Sequence, residues 1–446
     1  MSGLMDTPDT DAVTGTDGTN GAAGSTSTTG STSTTGSTST TADSETAPTG
    51  VRARCAAALD GLWSVPRSAR YALASLFIVN GATYVAYPLL AVKLADVDHL
   101  PASRIGLVLT AFLVAARLLP MAAGPLADRY DPRVVMLVGA IARGLGFVGL
   151  GLLHNQWLFL GAAVLAGAGA IFEAPVSGLF AALPEPARSR AFALENAVLN
   201  ASVIGGPALA AVLLHFGTEL PFVCSGVLLL LVCFTLLAIE PPARAAEAGH
   251  SALTHARTVL RNRTFVLFWL LMLPWWFLFT QLGVALPIRS NAVAGVGWIA
   301  VVYVGIGVAG LIALPFVKAF NARVGSRRSV AVGFLVIAAG LGSIGFSTNR
   351  WWLLGCVCVY MIGDTTILYG SQLIIADFAT DRTRASYFGL YAGSWAVGGG
   401  VGNFLGAYLT TQPLTPTAWL VFGVVGLTGS AAFSAVFLTR RTKTGG

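Results

Sequence analysis

The chain has 446 residues, of which 55% are hydrophobic and 11% are charged, with a formal net charge of +7. Soluble domains carry about 25% charged residues, so this composition excludes an ordinary water-soluble protein and predicts one that crosses a membrane many times. The basic residues are spread between apolar runs, without a basic patch that contains aromatic residues. This distribution excludes a nucleic-acid-binding protein.

The N-terminal part of the chain differs from the rest. Residues 1–50 are almost entirely small or polar and contain a short repeat that begins at Gly24, Gly30 and Gly36. Because such a composition cannot bury a core, we predict a disordered tail over 1–50. A basic juxtamembrane segment follows over 51–70.

Twelve apolar runs follow, and most hold the roughly 20 residues that a helix needs to cross the hydrocarbon core. Each run is predicted to be a helix, because lipid-exposed backbone must satisfy its hydrogen bonds within its own segment. The predicted spans are 71–92, 105–125, 133–153, 157–182, 192–214, 220–239, 264–287, 297–319, 328–347, 351–376, 386–411 and 417–439. The fold class is therefore predicted to be an all-α membrane protein.

These runs divide the chain into two halves. We predict an N-terminal six-helix bundle over 71–239 and a C-terminal six-helix bundle over 264–439, joined by a cytoplasmic linker over 240–263 and followed by a cytoplasmic tail over 440–446. An internal repeat supports the division, because pairs of like residues recur at an offset of 194. They are Arg129 and Arg323, Arg133 and Arg327, Asn155 and Asn349, and Trp157 and Trp351. A parallel repeat of this length is typical of some secondary transporters.

The placement of the basic residues predicts the orientation. Of the 27 Lys and Arg residues, those assigned to the side opposite the N-terminus are only Lys93, Arg104, Arg289 and Arg350. Positive residues favour the cytoplasmic side, so both termini are predicted to lie in the cytoplasm. The excess of arginine over lysine, 24 against 3, suggests a GC-rich bacterial genome and hence a multi-pass protein of a bacterial plasma membrane.

A charged turn lies between the second and third runs. Gly124, Asp128, Arg129 and Arg133 resemble the signature loop of the major facilitator superfamily, with Asp131 at a position where that pattern has glycine. The resemblance implies a major facilitator fold of twelve transmembrane helices in two pseudo-symmetric six-helix bundles.

The same resemblance implies a gate. In the family, the aspartate of this loop caps a helix of the other half, which here begins near Arg384. These contacts would latch the outward-facing state. The predicted gating residues are Gly124, Asp128, Arg129 and Arg133. Arg323 and Arg327, their counterparts in the internal repeat, are also included. A role in setting membrane orientation alone is the alternative.

Further motifs resemble the MdtH-type multidrug-efflux branch of that superfamily. They are Tyr87-Pro88-Leu89-Leu90 with Lys93, Arg143 with Gly146-Phe147, Phe172-Glu173-Ala174-Pro175, and Gln281 with Leu286-Pro287-Ile288. The resemblance implies a drug/proton antiporter that exports a small amphipathic or aromatic compound, such as a drug, antibiotic or metabolite, by proton-coupled alternating access. One departure is Ala163, at a position where drug antiporters usually carry arginine.

Four charged residues lie clearly inside predicted spans, away from the span ends, where an unpaired charge costs several kcal/mol. Arg117, Arg143 and Glu173 lie at a similar depth, about 15 Å from the cytoplasmic helix ends for the latter two, so Glu173 is placed to pair with either arginine. Asp364 lies near the middle of the tenth span. Asp364 and Glu173 are the proton-coupling candidates, and the two arginines are their charge partners. A structural ion pair for Glu173, and a satisfied hydrogen-bonding role for Asp364, are the alternatives.

Aromatic and amide side chains within the spans are candidates to line a substrate cavity suited to aromatic or cationic solutes. They are Asn80, Tyr84, Tyr87, Trp276, Gln281, Tyr360 and Trp395. For each aromatic residue, a position facing lipid or the core is the alternative.

No nucleotide-binding loop, catalytic cluster or metal-ligand cluster occurs in the sequence, so we predict no enzyme activity, no cofactor and no metal. The predicted partners are a small-molecule substrate, protons and the lipid bilayer, with no nucleic acid, and the chain is predicted to be monomeric. The alternative functions are a major facilitator importer of a small nutrient and a non-transporting membrane sensor or scaffold.

Overall fold

The structure is a computed structural model that describes residues 65–129, 131–181, 183–184, 186–238, 261–378, 384–411 and 415–438. The predicted tail 1–50, most of the juxtamembrane segment 51–70, nearly all of the linker 240–263 and the tail 440–446 lie outside the described residues.

Twelve long helices, α1 to α12, occupy the described part of the chain. They are α1 Arg67–Val92, α2 Ala102–Arg129, α3 Pro132–Leu152, α4 Gln156–Ala168 continued by Glu173–Ala181, α5 Ala187–Leu213, α6 Leu220–Leu237, α7 Arg263–Phe279 continued by Ala285–Ala294, α8 Gly297–Val324, α9 Ser326–Ile344, α10 Arg350–Phe378, α11 Arg384–Thr411 and α12 Thr415–Phe437. Within the described ranges, eleven are apolar and long enough to cross a membrane. The remaining helix, α11, has 28 residues. This arrangement confirms the predicted all-α membrane fold.

The helices of the two halves pack in the same pattern. In the first half α1 packs on α5 and α6, α2 packs on α4, and α3 packs on α4 and α6, and the same pairings recur in the second half with six added to each helix number. Between the halves, α2 packs on α11 and α5 packs on α8. Exchanging the two halves turns one of these pairs into the other, because α2 corresponds to α8 and α5 corresponds to α11. The prediction of two pseudo-symmetric six-helix bundles is confirmed, while the residue limits given for each bundle stay a prediction.

Among the described residues, two helices are interrupted inside the bundle, and a proline follows each interruption. In α4 a 3-10 turn over Gly169–Phe172 precedes Pro175, and in α7 a 3-10 turn over Thr280–Leu282 precedes Pro287. Proline has no N–H group, and its ring clashes with the carbonyl group four residues earlier, so it weakens the α-helical pattern before it. Prolines inside α1, α5 and α8 leave those helices unbroken. Both interruptions adjoin the space between the halves.

One end of the bundle, which we call the far face, carries the connections around residues 98–101, 153–155 and 214–219. Close to this face the two halves meet through side chains that bind backbone of the opposite half. The Asn403 amide donates to the Leu109 carbonyl oxygen at 2.9 Å, and the Thr110 hydroxyl donates to the Gly400 carbonyl oxygen at 3.0 Å. The opposite end, the near face, carries the ends of α1 and α12 that adjoin the two termini.

Replacing Asn403 with Ala is expected to lower the free energy of unfolding by about 0.6 to 1.7 kcal/mol, the average and the maximum measured for hydrogen bonds between membrane helices. The measurement is unfolding in mixed micelles. Thr428→Ala is the matched control, because the Thr428 hydroxyl donates only to carbonyl oxygens of its own helix, Val424 and Val425. Equal stability of the two variants would contradict this role for Asn403.

A buried lysine lies at the far end of α1. Lys93 is 2% exposed, begins a π-helical segment over Lys93–Val97, and forms an ion pair with Asp98 at 2.7 Å. Its ammonium nitrogen lies 5.0 Å from the ring centroid of Phe159 and 5.9 Å from that of Phe222. The ion pair and the two rings replace the hydration that burial removes.

Candidate functional site

A cavity of about 380 Å³ lies between the two halves of the bundle. Helices of both halves form its wall. All four charged residues predicted inside the spans line it: Arg117, Arg143, Glu173 and Asp364. A space of this size that both halves enclose is the arrangement expected of a small-molecule site.

The predicted cavity residues divide into two groups. Asn80, Tyr84, Tyr87 and Trp395 line the cavity. Trp276, Gln281 and Tyr360 are buried but do not form its wall. Behind the wall, the Trp276 ring stacks on the Trp395 ring with centroids 4.5 Å apart, and the Gln281 amide donates to the carbonyl oxygens of Phe277 and Gly402.

Four polar residues of the cavity wall are absent from the predicted set, namely Thr83, Asn200, Thr280 and Tyr303. A polar residue within an apolar run was an available signal for Thr83 and Asn200. The Tyr303 hydroxyl donates to the carbonyl oxygen of Leu282, in the interruption of α7. No sequence pattern marks that carbonyl group as available, because an unbroken helix would use it internally.

Glu173 and Arg143 face each other across α3 and α4. The closest carboxylate oxygen and guanidinium nitrogen are 3.7 Å apart, and the side chains are 44% and 5% exposed, respectively. The arginine also donates through Nε to the Ala166 carbonyl oxygen at 3.4 Å. The guanidinium group therefore has two acceptors from α4, whereas the carboxylate keeps access to the cavity.

Gly169 permits this approach of α3 and α4. A Cβ atom at this position would overlap the Cβ atom of Arg143. Replacing Gly169 with Val is therefore expected to force the helices apart, break the Glu173–Arg143 pair and lower the free energy of unfolding by about 1 to 3 kcal/mol. The control is Gly161→Val on the same helix, where a Cβ atom meets no other atom within 4 Å. Comparable unfolding curves for the two variants would refute this explanation.

Arg117 has a different environment. Its guanidinium carbon lies 3.4 Å from the ring centroid of Trp395, so that the contact joins α2 of the first half to α11 of the second. Among the residues that the structure describes, no carboxylate lies within 4 Å of its guanidinium group. Its buried Nε atom also has no hydrogen-bond acceptor there.

Asp364 is 2% exposed and lies in the wall formed by α10. The Trp275 indole Nε1 donates to its Oδ1 at 2.8 Å. The Tyr360 hydroxyl also interacts electrostatically with the Asp364 carboxylate. Among the described residues, this hydroxyl has no hydrogen-bond partner that meets the usual distance and angle limits. No basic side chain forms an ion pair with Asp364 in this part of the chain. Its partners are therefore neutral groups.

Of the predicted gating residues whose side chains the structure describes, Arg133, Arg323 and Arg327 do not line the cavity. α2 continues to Arg129, so Gly124 and Asp128 belong to its last turns, but the side chains of this segment and the predicted contact of Asp128 near Arg384 lie outside the described residues. The Asp131 carboxylate accepts a hydrogen bond from the Arg133 N–H at 2.9 Å. Asp131 therefore caps the start of α3. This cap accounts for the departure from the family pattern.

Arg323 and Arg327, the repeat counterparts of Arg129 and Arg133, are exposed at the turn between α8 and α9. The guanidinium carbon of Arg327 lies 5.6 Å from the ring centroid of Phe437.

Comparison with known proteins identifies the family. The profile described as Major Facilitator Superfamily matches residues 72–317 and 290–446 of this chain. The chain belongs to the Major Facilitator Superfamily. It is therefore a multi-pass membrane protein of a family of small-molecule transporters.

Two relatives within the superfamily are the Multidrug resistance protein MdtH of Salmonella paratyphi B (strain ATCC BAA-1250 / SPB7) and that of Escherichia coli (strain SMS-3-5 / SECEC). Each is 26% identical over 373 residues, which cover 80% of this chain and 91% of the relative. The predicted resemblance to the MdtH-type branch is confirmed.

Solved structures of the superfamily fold are also similar. The nucleoside transporter NupG has a TM-score of 0.73 at 12% identity, covering 83% of this chain and 99% of that one. The POT family transporter PepTSo has a TM-score of 0.71 at 14% identity, with coverages of 85% and 99%. A bacterial homolog of the human lysosomal transporter Spinster, in an inward-facing and unoccupied conformation, has a TM-score of 0.68 at 14% identity, with coverages of 85% and 98%. At these identities the similarity shows the fold alone.

Proposed function

We propose that this chain exports a small amphipathic or aromatic compound by proton-coupled alternating access, as a monomer in a bacterial plasma membrane with both termini in the cytoplasm. The observation that carries the proposal is the occurrence of two carboxylates in one aromatic cavity between the halves. Glu173 has an arginine partner, whereas Asp364 has only neutral partners within the described residues.

The different partners assign different roles to the two acids. Glu173 and Arg143 form an ion pair at 3.7 Å, so the arginine occupies Glu173 while the pair is intact. A carboxylate with neutral partners is less costly to bury when it carries a proton. Asp364 is therefore the principal proton carrier, and Glu173 becomes a second carrier when its pair opens.

Exchange of substrate for protons follows from competition at Asp364. The charged carboxylate attracts a cationic or hydrogen-bond-donating substrate, whereas the protonated group does not. A proton taken up from outside the cell therefore releases the substrate there, and loss of the proton to the cytoplasm prepares the cavity for the next substrate molecule. In this scheme the near face is cytoplasmic, and the halves rock about the α2–α11 and α5–α8 contacts.

The signature residues Gly124, Asp128, Arg129 and Arg133, with Arg323 and Arg327, form the near-face gate in this proposal. They lie at the ends of α2 and α8 and the starts of α3 and α9. Contacts between the charged residues and helix ends of the other half would hold the near face closed while the far face is open.

The substrate class rests on the cavity wall and on the relatives. Tyr84, Tyr87 and Trp395 present aromatic rings to the cavity, and aromatic faces bind flat apolar or cationic groups. The relatives at 26% identity carry the name Multidrug resistance protein.

The test is transport by purified protein in liposomes under an imposed pH gradient, with compounds chosen from a growth screen of cells with and without expression. Proton flux opposite to the substrate, together with increased resistance, supports the proposal. Proton flux in the same direction as a nutrient would instead show an importer. No flux for any compound that the purified protein binds would favour a sensor or scaffold.

A further inference from the structure

The Arg117 side chain lines the cavity and forms no ion pair with a carboxylate among the described residues. No carboxylate lies within 4 Å of its guanidinium group in the described residues, and its Nε atom has no acceptor there. A charge in this position costs several kcal/mol unless another group compensates for it. The cation–π contact of this side chain with Trp395 provides part of that compensation.

The surface under the guanidinium group is a stack of two indole rings, and a third indole ring, tilted by 35°, adjoins it. The Trp395 ring lies almost parallel to the Trp276 ring, with centroids 4.5 Å apart and an angle of 10°. The Trp276 and Trp275 ring centroids are 4.2 Å apart, and the Trp275 indole donates to Asp364 at 2.8 Å. The exposed end of this stack therefore already holds a flat cation, and the adjoining third ring contacts a carboxylate.

Arg117 also has an alternative partner in its own half. Glu173 interacts electrostatically with Arg117. Its side chain is 44% exposed, and its contact with Arg143 is 3.7 Å, longer than a charge-assisted hydrogen bond. Both Arg117 and Glu173 line the cavity. Glu173 is therefore available to receive a guanidinium group that leaves Trp395.

We propose that Arg117 is a built-in competitor for the substrate: a planar organic cation binds on the Trp395 ring by displacing the guanidinium group, which then pairs with Glu173. The proposal rests on the proposed function for the premise that the cavity takes an organic solute, and it specifies the preferred class as flat delocalised cations.

The displacement also connects binding to the halves of the transporter. Arg117 belongs to α2 and Trp395 to α11, so their contact bridges the two halves at the cavity wall. When the substrate takes the ring and Arg117 moves to Glu173, that bridge is replaced by a contact within the first half. Substrate occupancy thereby removes one restraint between the halves.

The test is a fluorescence titration of the purified full chain with ethidium, a planar cation, and tetraphenylphosphonium, a non-planar cation of the same charge. Arg117→Gln removes the competing cation and is expected to tighten ethidium binding about two- to thirty-fold, the range that corresponds to a cation–π contact. The effect on tetraphenylphosphonium should be smaller, since that ion cannot lie flat on the ring. Trp395→Leu should weaken ethidium binding by a similar factor.

Glu173→Gln should weaken ethidium binding in the presence of Arg117. It should have no effect in the Arg117→Gln background, because no displaced guanidinium group is then present to pair with Glu173. The control is Arg104→Gln, which removes an arginine whose guanidinium carbon lies 5.0 Å from the Trp157 ring centroid, outside the cavity wall. It should bind both ions as the unmodified chain does.

Three results would overturn the inference. These are weaker ethidium binding by Arg117→Gln, equal tightening for both ions, and no ethidium binding by either the unmodified chain or Arg117→Gln. The titration needs no pH gradient. The expected binding pattern without proton-driven transport would therefore reject the proposed function and leave the role of Arg117 supported.

Discussion

Replacing Asp364 with Asn is expected to reduce transport driven by a pH gradient by about 100-fold or more, the scale of loss for a positioned proton-transfer group. Asparagine keeps the size of the side chain, and its Oδ1 atom can still accept the hydrogen bond from Trp275, which is 2.8 Å long in the structure. It cannot take up or release a proton. The packing should therefore survive, while coupling to the gradient is lost.

The measurement is substrate accumulation in liposomes with and without the gradient, together with a binding titration of the same variant. Asp377→Asn is the matched control, because Asp377 lies on the same helix and is exposed outside the cavity wall. It should transport normally. If Asp364→Asn still accumulates substrate at the unmodified rate, Asp364 is not the proton carrier.

Cross-linking the two halves at the far face is expected to stop transport, to the level of liposomes without protein. The Asn291 amide donates to the Asp96 carboxylate at 2.6 Å and so joins the second half to the first. Alternating access requires the halves to separate at this face. Cysteines at both positions, joined by a short bifunctional methanethiosulfonate reagent, should hold them together.

This experiment begins from a chain in which the 5 natural cysteines are replaced. Transport should return when a reducing agent cleaves the cross-link. The single variants Asp96→Cys and Asn291→Cys, treated with the same reagent, are the controls and should remain active. Full transport by the cross-linked double variant would show that the far face does not open during the cycle.

Most of the fold was predictable because the bilayer imposes length and apolarity on each helix. The predicted seventh span ended at residue 287, whereas α7 continues to Ala294. Arg289 explains the difference, because its guanidinium group donates to the Ser347 carbonyl oxygen at 2.6 Å. A charged residue can thus extend a helix beyond its apolar run when a neighbouring helix end provides an acceptor.

The cavity was predictable only in part. Charged residues were informative since a buried charge needs a compensating environment, and all four of them line the cavity. Aromatic residues were less informative, because an aromatic side chain can face lipid, the protein core or the cavity. Tyr84, for example, lines the cavity, whereas Tyr360 is buried behind the cavity wall. The contact between Arg117 and Trp395 depends on how α2 packs on α11, which local sequence does not encode.

The burial of Lys93 has a practical consequence for chemical labelling. The chain has three lysines, Lys93, Lys318 and Lys443. Lys318 is exposed, whereas the Lys93 amine is enclosed by a carboxylate and two phenyl rings. Amine-directed dyes and tethers applied to the folded protein will therefore spare Lys93, and its modification will report denaturation.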